Sequence, residues 1–370
     1  MIGTRCILLG ILLLVSAGQA GAPPPLAMPE PPWADPLRAR LEAVEARLPG
    51  EIGVYVHHVG RDESFSYRAG ENWYLASGIK VPVAIAVWRR IEDGELTLDT
   101  HIRLQANDFV DGAGQTNWHR AGTPLRVDYL LQQMLVYSDN TATDVLIRSV
   151  GLDAVNAVAA ELLEGDGLVI TSLADVRRLA YGMFHAGAAD LDSQDLLSLR
   201  RAAAGPTRMH RLAELLGVTP ADFLHPDIDS AFEAYYATHV NTAPLRDFGR
   251  MLVTVANGLA LGQEGTTYLL DTMTRAKTGE KRIKAGLPPE ARFAHKTGTQ
   301  HRRACDLGIV LMPAGDTIEQ VVIVACVRGP ASVAQSERAL REVGAAVTAS
   351  GVLARTTPVT GATIPHPESR

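Results

Sequence analysis

The sequence predicts an α/β (α+β) fold, in which an antiparallel sheet is flanked by N- and C-terminal helices around an inserted all-helical subdomain. Three observations lead there. Strand-like segments cluster near the two ends of the chain, and the middle, from about Leu125 to Gly279, carries helical apolar spacing with almost no strand signal. Amphipathic stretches suited to helices bracket the strands at both ends. One folded unit over 37–350 follows, with its α/β part at about 37–85 and 285–350 and its helical part at about 86–284.

Arg5 precedes the apolar run Ile7 to Val15, then the small residues Ser16, Ala17, Gly18 and Ala20, then Pro23, Pro24 and Pro25. This is the layout of a signal peptide over residues 1–20, cleaved after Ala20, since the run is short of the roughly 20 residues that cross a bilayer. Cys6 leaves with it. The mature protein is expected in the periplasm or secreted, without stable membrane association. Residues 21–36 read as a Pro-rich linker.

Leu37 to Leu48 has helical spacing. Glu51 to Val59 and Ser64 to Arg68 alternate around Gly60-Arg61-Asp62-Glu63, which predicts a hairpin. Ser77 to Ile91 is apolar enough for a buried helix, with Pro82 tolerated in its first turns. Helices are then expected at Val127 to Val136, Thr141 to Val150, Asp153 to Leu163, Leu173 to Phe184, Gln194 to Ala203, Ala243 to Asn257 and Thr266 to Arg275. Strands return at Ala291 to Thr299, Cys305 to Met312 and Gln320 to Val327. A hairpin centred between Gly315 and Asp316 sets Cys305 opposite Cys326; cross-strand bridges are strained, so two buried thiols are expected, with a disulfide as the alternative. Ser332 to Ala349 forms a last helix, and 351–370 is expected to be a disordered tail.

Hydrophobic residues at 46% and charged residues at 21% exclude a disordered chain or a polytopic membrane protein. A net charge of -6 offers no overall field for phosphates, so nucleic acid is not an expected partner. No H-E-x-x-H or H-x-H-x-D-H string occurs, so a zinc hydrolase is not expected, and the G-x-S-x-G elbow is missing around Ser77 and Ser138.

Ser77-Gly78-Ile79-Lys80 sets a hydroxyl and an amine on one helical face. A serine needs a base to become a nucleophile, and a desolvated lysine supplies one; an N-cap serine beside a solvated lysine is the plainer alternative. Ser138-Asp139-Asn140 stands between two expected helices, where Ser138 could relay a proton, Asn140 could bond Lys80 and a substrate carbonyl, and Asp139 is structural. Lys296-Thr297-Gly298-Thr299 lies on an expected strand, where Gly298 admits a close backbone and the flanking side chains suit a carboxylate. A second K-T-G, Lys277-Thr278-Gly279, reads as a helix end capped by Gly279, followed by the basic run Lys281, Arg282 and Lys284.

As a set, S-x-x-K, S-D-N and K-T-G in this order resemble the serine penicillin-recognising enzymes, and class A β-lactamases most closely. Trp73-Tyr74-Leu75-Ala76, Val81-Pro82-Val83-Ala84 and Asn241-Thr242-Ala243-Pro244 add to the likeness, which runs from about Pro36 to Ser350. The resemblance implies a β-lactamase/transpeptidase-like fold and a monomeric hydrolase for small β-lactam substrates, with no metal or cofactor. It implies that Ser77 forms an acyl-enzyme, that the Ser77 and Thr299 N–H groups make an oxyanion hole, and that Lys80 and Ser138 move protons. Lys296, Thr297, Gly298 and Thr299 would hold the substrate carboxylate, with Asn140 on the acyl side.

One element departs from the family. The E-x-x-x-N string that carries its deacylating glutamate is absent, and the region is longer than usual by roughly fifty residues, mostly within Leu168 to Asp222. Glu233 is the expected base, with Asp229 and Asp227 as alternatives and a solvated helix residue as the plainer reading of Glu233. Without a base the chain would be a penicillin-binding D-Ala-D-Ala carboxypeptidase; a penicillin-binding sensor or pseudoenzyme is the remaining alternative. His295, Trp118, Arg302 and Arg303 could each line the site, but a packed strand histidine, a loop-packing tryptophan and exposed strand arginines are the plainer readings.

Overall fold

Helix α1 (Ala34–Glu45) buries Leu37, Leu41 and Val44, a spacing that makes one apolar stripe. It starts ahead of the expected Leu37 because Pro36 fits a first helical turn, where an N–H would have no partner. Trp33 is buried beside it and donates from Nε1 to Glu63. The computed structural model describes residues 30–163, 167–330 and 332–354. The expected signal peptide and cleavage point, and the tail beyond 354, lie outside the described residues. Val352 and Leu353, placed in the tail by sequence, are buried.

Strands β1 (Glu51–His58) and β2 (Glu63–Tyr67) form the expected hairpin, and β3 (Asn72–Tyr74) leads through a 3-10 turn at Ala76–Ile79 into α2 (Lys80–Glu92). From Lys80 to Trp88 every residue of α2 is buried, as the apolar run requires. Next come β4 (His101–Arg103), β5 (Pro124–Arg126), α3 (Val127–Val136), α4 (Asn140–Val150), α5 (Leu152–Leu162) and α6 (Leu173–Gly182). Then follow α7 (Ser193–Arg201), α8 (Pro206–Leu216) and α9 (Ile228–Tyr236). Strand β6 (Thr242–Pro244) pairs with β3, so the helix expected from Ala243 begins only at α10 (Leu245–Ala256). Helix α11 (Gln263–Thr274), strands β7 (Arg292–Gln300), β8 (Arg303–Ala314) and β9 (Thr317–Arg328), and α12 (Val333–Ser350) complete the chain. Helices α8 and α9 were not among the expected elements, although Pro206 at the start of α8 and Gly217 (φ 67°) at its end are ordinary punctuation.

The main sheet is antiparallel in the order β2-β1-β9-β8-β7, so strands from both ends of the chain make it. On one face Val54, Val56, Ile323 and Ala325 pack against Leu37, Leu41, Leu340 and Val343 of the terminal helices. On the other, Tyr55, Leu307, Ile309, Val322 and Val324 join the core of the helical subdomain.

The β8–β9 hairpin has the expected register, with Ala314 opposite Thr317 and Cys305 opposite Cys326. The cysteines form a disulfide at a Cα–Cα separation of 4.0 Å, which corrects the expectation of two free thiols. Directly opposed residues send their side chains to the same face, and this brings the sulfurs into bonding reach.

Candidate active site

The turn into α2 carries Ser77, half-buried, immediately after Ala76, whose φ of 49° bends the chain. One turn on, Lys80 is completely buried as the first residue of α2. Its Nζ donates to the Ser138 carbonyl at 2.7 Å, to Asn140 Oδ1 at 2.7 Å and to Ser138 Oγ at 3.3 Å. Burial pushes this amine down to about 7; the charges of Asp139 and Asp144 oppose the shift and that of Arg177 adds to it.

Ser138 joins α3 to α4 with a left-handed backbone (φ 62°). Asp139 caps α4 by accepting from Ala142 N at 2.9 Å and also accepts from Thr116 N at 2.9 Å, which is a structural role. Asn140 lies on the first turn of α4 and donates from Nδ2 to the Asp111 carbonyl at 2.6 Å.

Strand β7 supplies the opposite wall. Lys296, also completely buried, donates to Ser138 Oγ at 2.9 Å and to its neighbour's carbonyl, Thr297 O, at 2.9 Å. Burial holds its pKa well below the usual range, and the charges of Lys80 and Arg282 push it the same way. A Cβ at Gly298 would sit 2.2 Å from the Leu75 carbonyl, so only glycine lets β7 lie this close to the turn that carries Ser77. Thr299 is exposed at the rim.

Three residues around this centre, Arg282, Thr278 and Asp144, escaped sequence reasoning. Arg282 is buried and donates to Gly298 O at 2.8 Å, Cys305 O at 2.8 Å and Thr299 Oγ1 at 2.7 Å. It adds a third buried cation beside the two lysines, and only its place in a basic run marked it. The second K-T-G also needs correcting: α11 stops at Thr274, and Gly279 (φ 81°) lies in the following loop rather than at a helix cap. Thr278 of that tripeptide shares a 2.7 Å hydrogen bond with Thr297 Oγ1.

The expected base is not brought to these groups. Glu233 is exposed on α9, and both carboxylate oxygens accept from Arg303 Nη2, at 2.9 and 2.7 Å. Asp229 bonds His301 Nε2 at 2.6 Å and Arg302 Nη1 at 2.7 Å, and Asp227 caps α9 through Ser230 N at 2.8 Å. Asp229 and Glu233 thus tie α9 to the β7–β8 turn. The carboxylate that sequence reasoning passed over is Asp144, one turn beyond Asn140 on the same face of α4. It accepts from Leu173 N at 2.6 Å and Ala174 N at 2.9 Å at the start of α6, and burial pushes its pKa up to about 7.

His295 is a packed strand histidine, bonded through Nδ1 to buried Asp306 at 2.6 Å. Trp118 is 76% exposed, so it does not pack its loop. Chemically, the centre combines a serine hydroxyl, an amine held near neutrality, a second hydroxyl touched by two amines, and buried positive charge facing an open rim. Such a set suits acyl transfer to an anionic substrate.

Comparison with known proteins gives an independent reading. A curated β-lactamase of Mycobacterium tuberculosis is 26% identical over 358 residues, covering 95% of this chain and 98% of its own length. The crystal structure of a β-lactamase from Sphaerobacter thermophilus is similar at a TM-score of 0.61 and 24% identity, covering 87% of this chain and 99% of that one. A point mutant of PBP-A, solved as an acyl-enzyme complex with penicillin G, is similar at a TM-score of 0.63 and 20% identity, covering 87% and 98%. These structures share the fold. The model of the beta-lactamase enzyme family matches residues 36–350, and on that match, across almost the whole described chain, the protein belongs to this hydrolase family.

Proposed function

We propose that the protein is a class A type serine β-lactamase, opening the lactam amide through an ester on Ser77. The observation that supports this most is the Ser138 hydroxyl, bonded by Lys80 at 3.3 Å and by Lys296 at 2.9 Å. It connects a candidate base to a candidate substrate-binding cation through one exchangeable proton. In this reading neutral Lys80 takes the Ser77 proton while Oγ bonds to the lactam carbonyl carbon. The displaced carbonyl electrons move to oxygen, which the Ser77 and Thr299 N–H groups receive. When the carbonyl re-forms, the C–N bond breaks and Ser138 protonates the leaving nitrogen, its own proton being replaced from Lys80.

Lys296, Thr299 and Arg282 would hold the substrate carboxylate, with Thr297 and Gly298 shaping that wall. Asn140 would donate to the acyl side. Water must then cleave the ester, and Glu233, bonded to Arg303, offers no direct route. This favours one second reading, a penicillin-binding D-Ala-D-Ala carboxypeptidase. The two differ by the lifetime of one ester, and a ten-thousandfold difference is only about 5.5 kcal/mol of barrier.

Intact-mass spectrometry with benzylpenicillin tests both. An adduct that clears within seconds as penicilloate accumulates is the result expected of a β-lactamase. An adduct that persists for many minutes identifies the peptidase, and no adduct with no product removes the acyl-enzyme. We also propose that residues 1–20 direct export, a reading that the Cys305–Cys326 disulfide supports because such bonds persist in oxidising compartments. Sequencing the mature N-terminus, with Gly21 expected first, tests it.

A further inference from the structure

The long helical insertion meets the site at two carboxylates, Asp144 and Asp111. Asp111, nearly buried, presents its carbonyl to Asn140 Nδ2 at 2.6 Å, and Asn140 in turn bonds Lys80. The Asp111 carboxylate faces the insertion. Arg177 of α6 bonds it from Nε at 2.5 Å and from Nη2 at 3.2 Å, and Arg200 of α7 approaches it with Nε at 3.7 Å. Two guanidinium groups therefore share one carboxylate, leaving a net positive charge.

That charge is linked to Lys80 by geometry: Asn140 bonds both the Asp111 carbonyl and Lys80, and the Arg177 guanidinium adds to the lowering of the Lys80 pKa. Arg200 keeps 64% of its side chain exposed, so one of the two cations is open to solvent. On α9 and the β7–β8 turn, by contrast, Arg302 and Arg303 are matched by Asp229 and Glu233. The unmatched charge sits on the carboxylate of the residue whose carbonyl Asn140 bonds.

We propose that Arg177 and Arg200 form a second anion-recognising wall, which selects substrates bearing a carboxylate on the acyl group in addition to the one bound at β7. This deepens the acyl-enzyme reading above and rests on it. A partly screened attraction for an acidic acyl group corresponds to about a tenfold gain in acylation.

Benzylpenicillin and carbenicillin, which differ by one carboxylate on the acyl side chain, supply the test. The ratio of their second-order acylation rates at Ser77 is measured by intact mass at low and high salt. A ratio of about ten in favour of carbenicillin, falling toward one in R200Q and R177Q and in about 0.5 M salt, is expected. In D111N the ratio should rise, because both arginines lose their counter-ion; a purely structural ion pair predicts no such gain. A ratio in the native protein no higher than in R200Q, with benzylpenicillin still labelling Ser77, overturns the proposal and leaves the acyl-enzyme intact. Absence of labelling by either penicillin overturns both.

Discussion

Lys80 and Lys296 enter from different elements, a helix and a strand, and both bond the hydroxyl of Ser138. Two ammonium groups this close repel each other, and burial has already weakened the charged form of each. The pair therefore favours a state in which at least one amine is neutral near pH 7, which is what a lysine base needs.

The pH dependence of acylation follows. Lys80 is depressed from 10.5 to about 7, so its neutral fraction falls about tenfold per pH unit below 7 and saturates above it. The acylation rate constant for benzylpenicillin should rise with pH through about 7 and then level off. A profile flat from pH 5 to 8 in rapid-quench mass spectrometry removes Lys80 as the base.

Ser77→Ala removes the only atom offered for the ester. No adduct with benzylpenicillin should form on any timescale, while the melting temperature stays within a few degrees of the native protein. A labelled mutant would falsify the assignment of the nucleophile.

Glu233→Gln breaks an exposed ion pair with Arg303. Such pairs contribute about 0–1 kcal/mol, so stability should change by less than that and penicilloate release should stay within about twofold. Loss of turnover with acylation preserved would mean that α9 swings inward when substrate binds.

Gly298→Ala puts a methyl group where the Leu75 carbonyl already lies. The strand must retreat from the nucleophile turn, and the acylation rate should fall at least about a hundredfold through the misplaced oxyanion donors. Folding should survive at a cost of about 1–3 kcal/mol, read from urea unfolding.

Reducing Cys305–Cys326, or replacing Cys326 with Ser, opens a loop whose ends are 21 residues apart in sequence. Chain entropy assigns such a loop about 3 kcal/mol. Urea midpoints with and without a phosphine reductant should differ accordingly, and an unchanged midpoint would show that the paired strands already hold this hairpin.

What could be read from sequence follows from how local each signal is. The β8–β9 register was legible because a turn of Pro, Ala, Gly and Asp sits between two apolar runs, and α3 was legible from periodicity to the residue. The Ser77, Lys80, Ser138 and Lys296 positions were legible from three motifs, and hydrogen bonds join the last three of them. Arg282 and Thr278 were not, because what makes them part of the site is the approach of a loop to β7. Glu233 has only its place along the chain to recommend it. Its partner Arg303, seventy residues on, decides where its carboxylate points. The disulfide is the less expected outcome from sequence because strain is typical of cross-strand pairs, and the strand pairing that permits this one is a property of the folded sheet.

Strand β1 is completed on one side by β2, made a few residues later, and on the other by β9, made more than 250 residues later. Closing so long a loop is entropically slow, and no shorter path finishes the sheet. Until Arg328 is available, Ser77 has its turn but neither the β7 edge beside it nor a covered sheet beneath it. The nascent chain thus carries Ser77 in an unassembled form for most of its synthesis, and its surroundings are completed in one late step when the final hairpin docks.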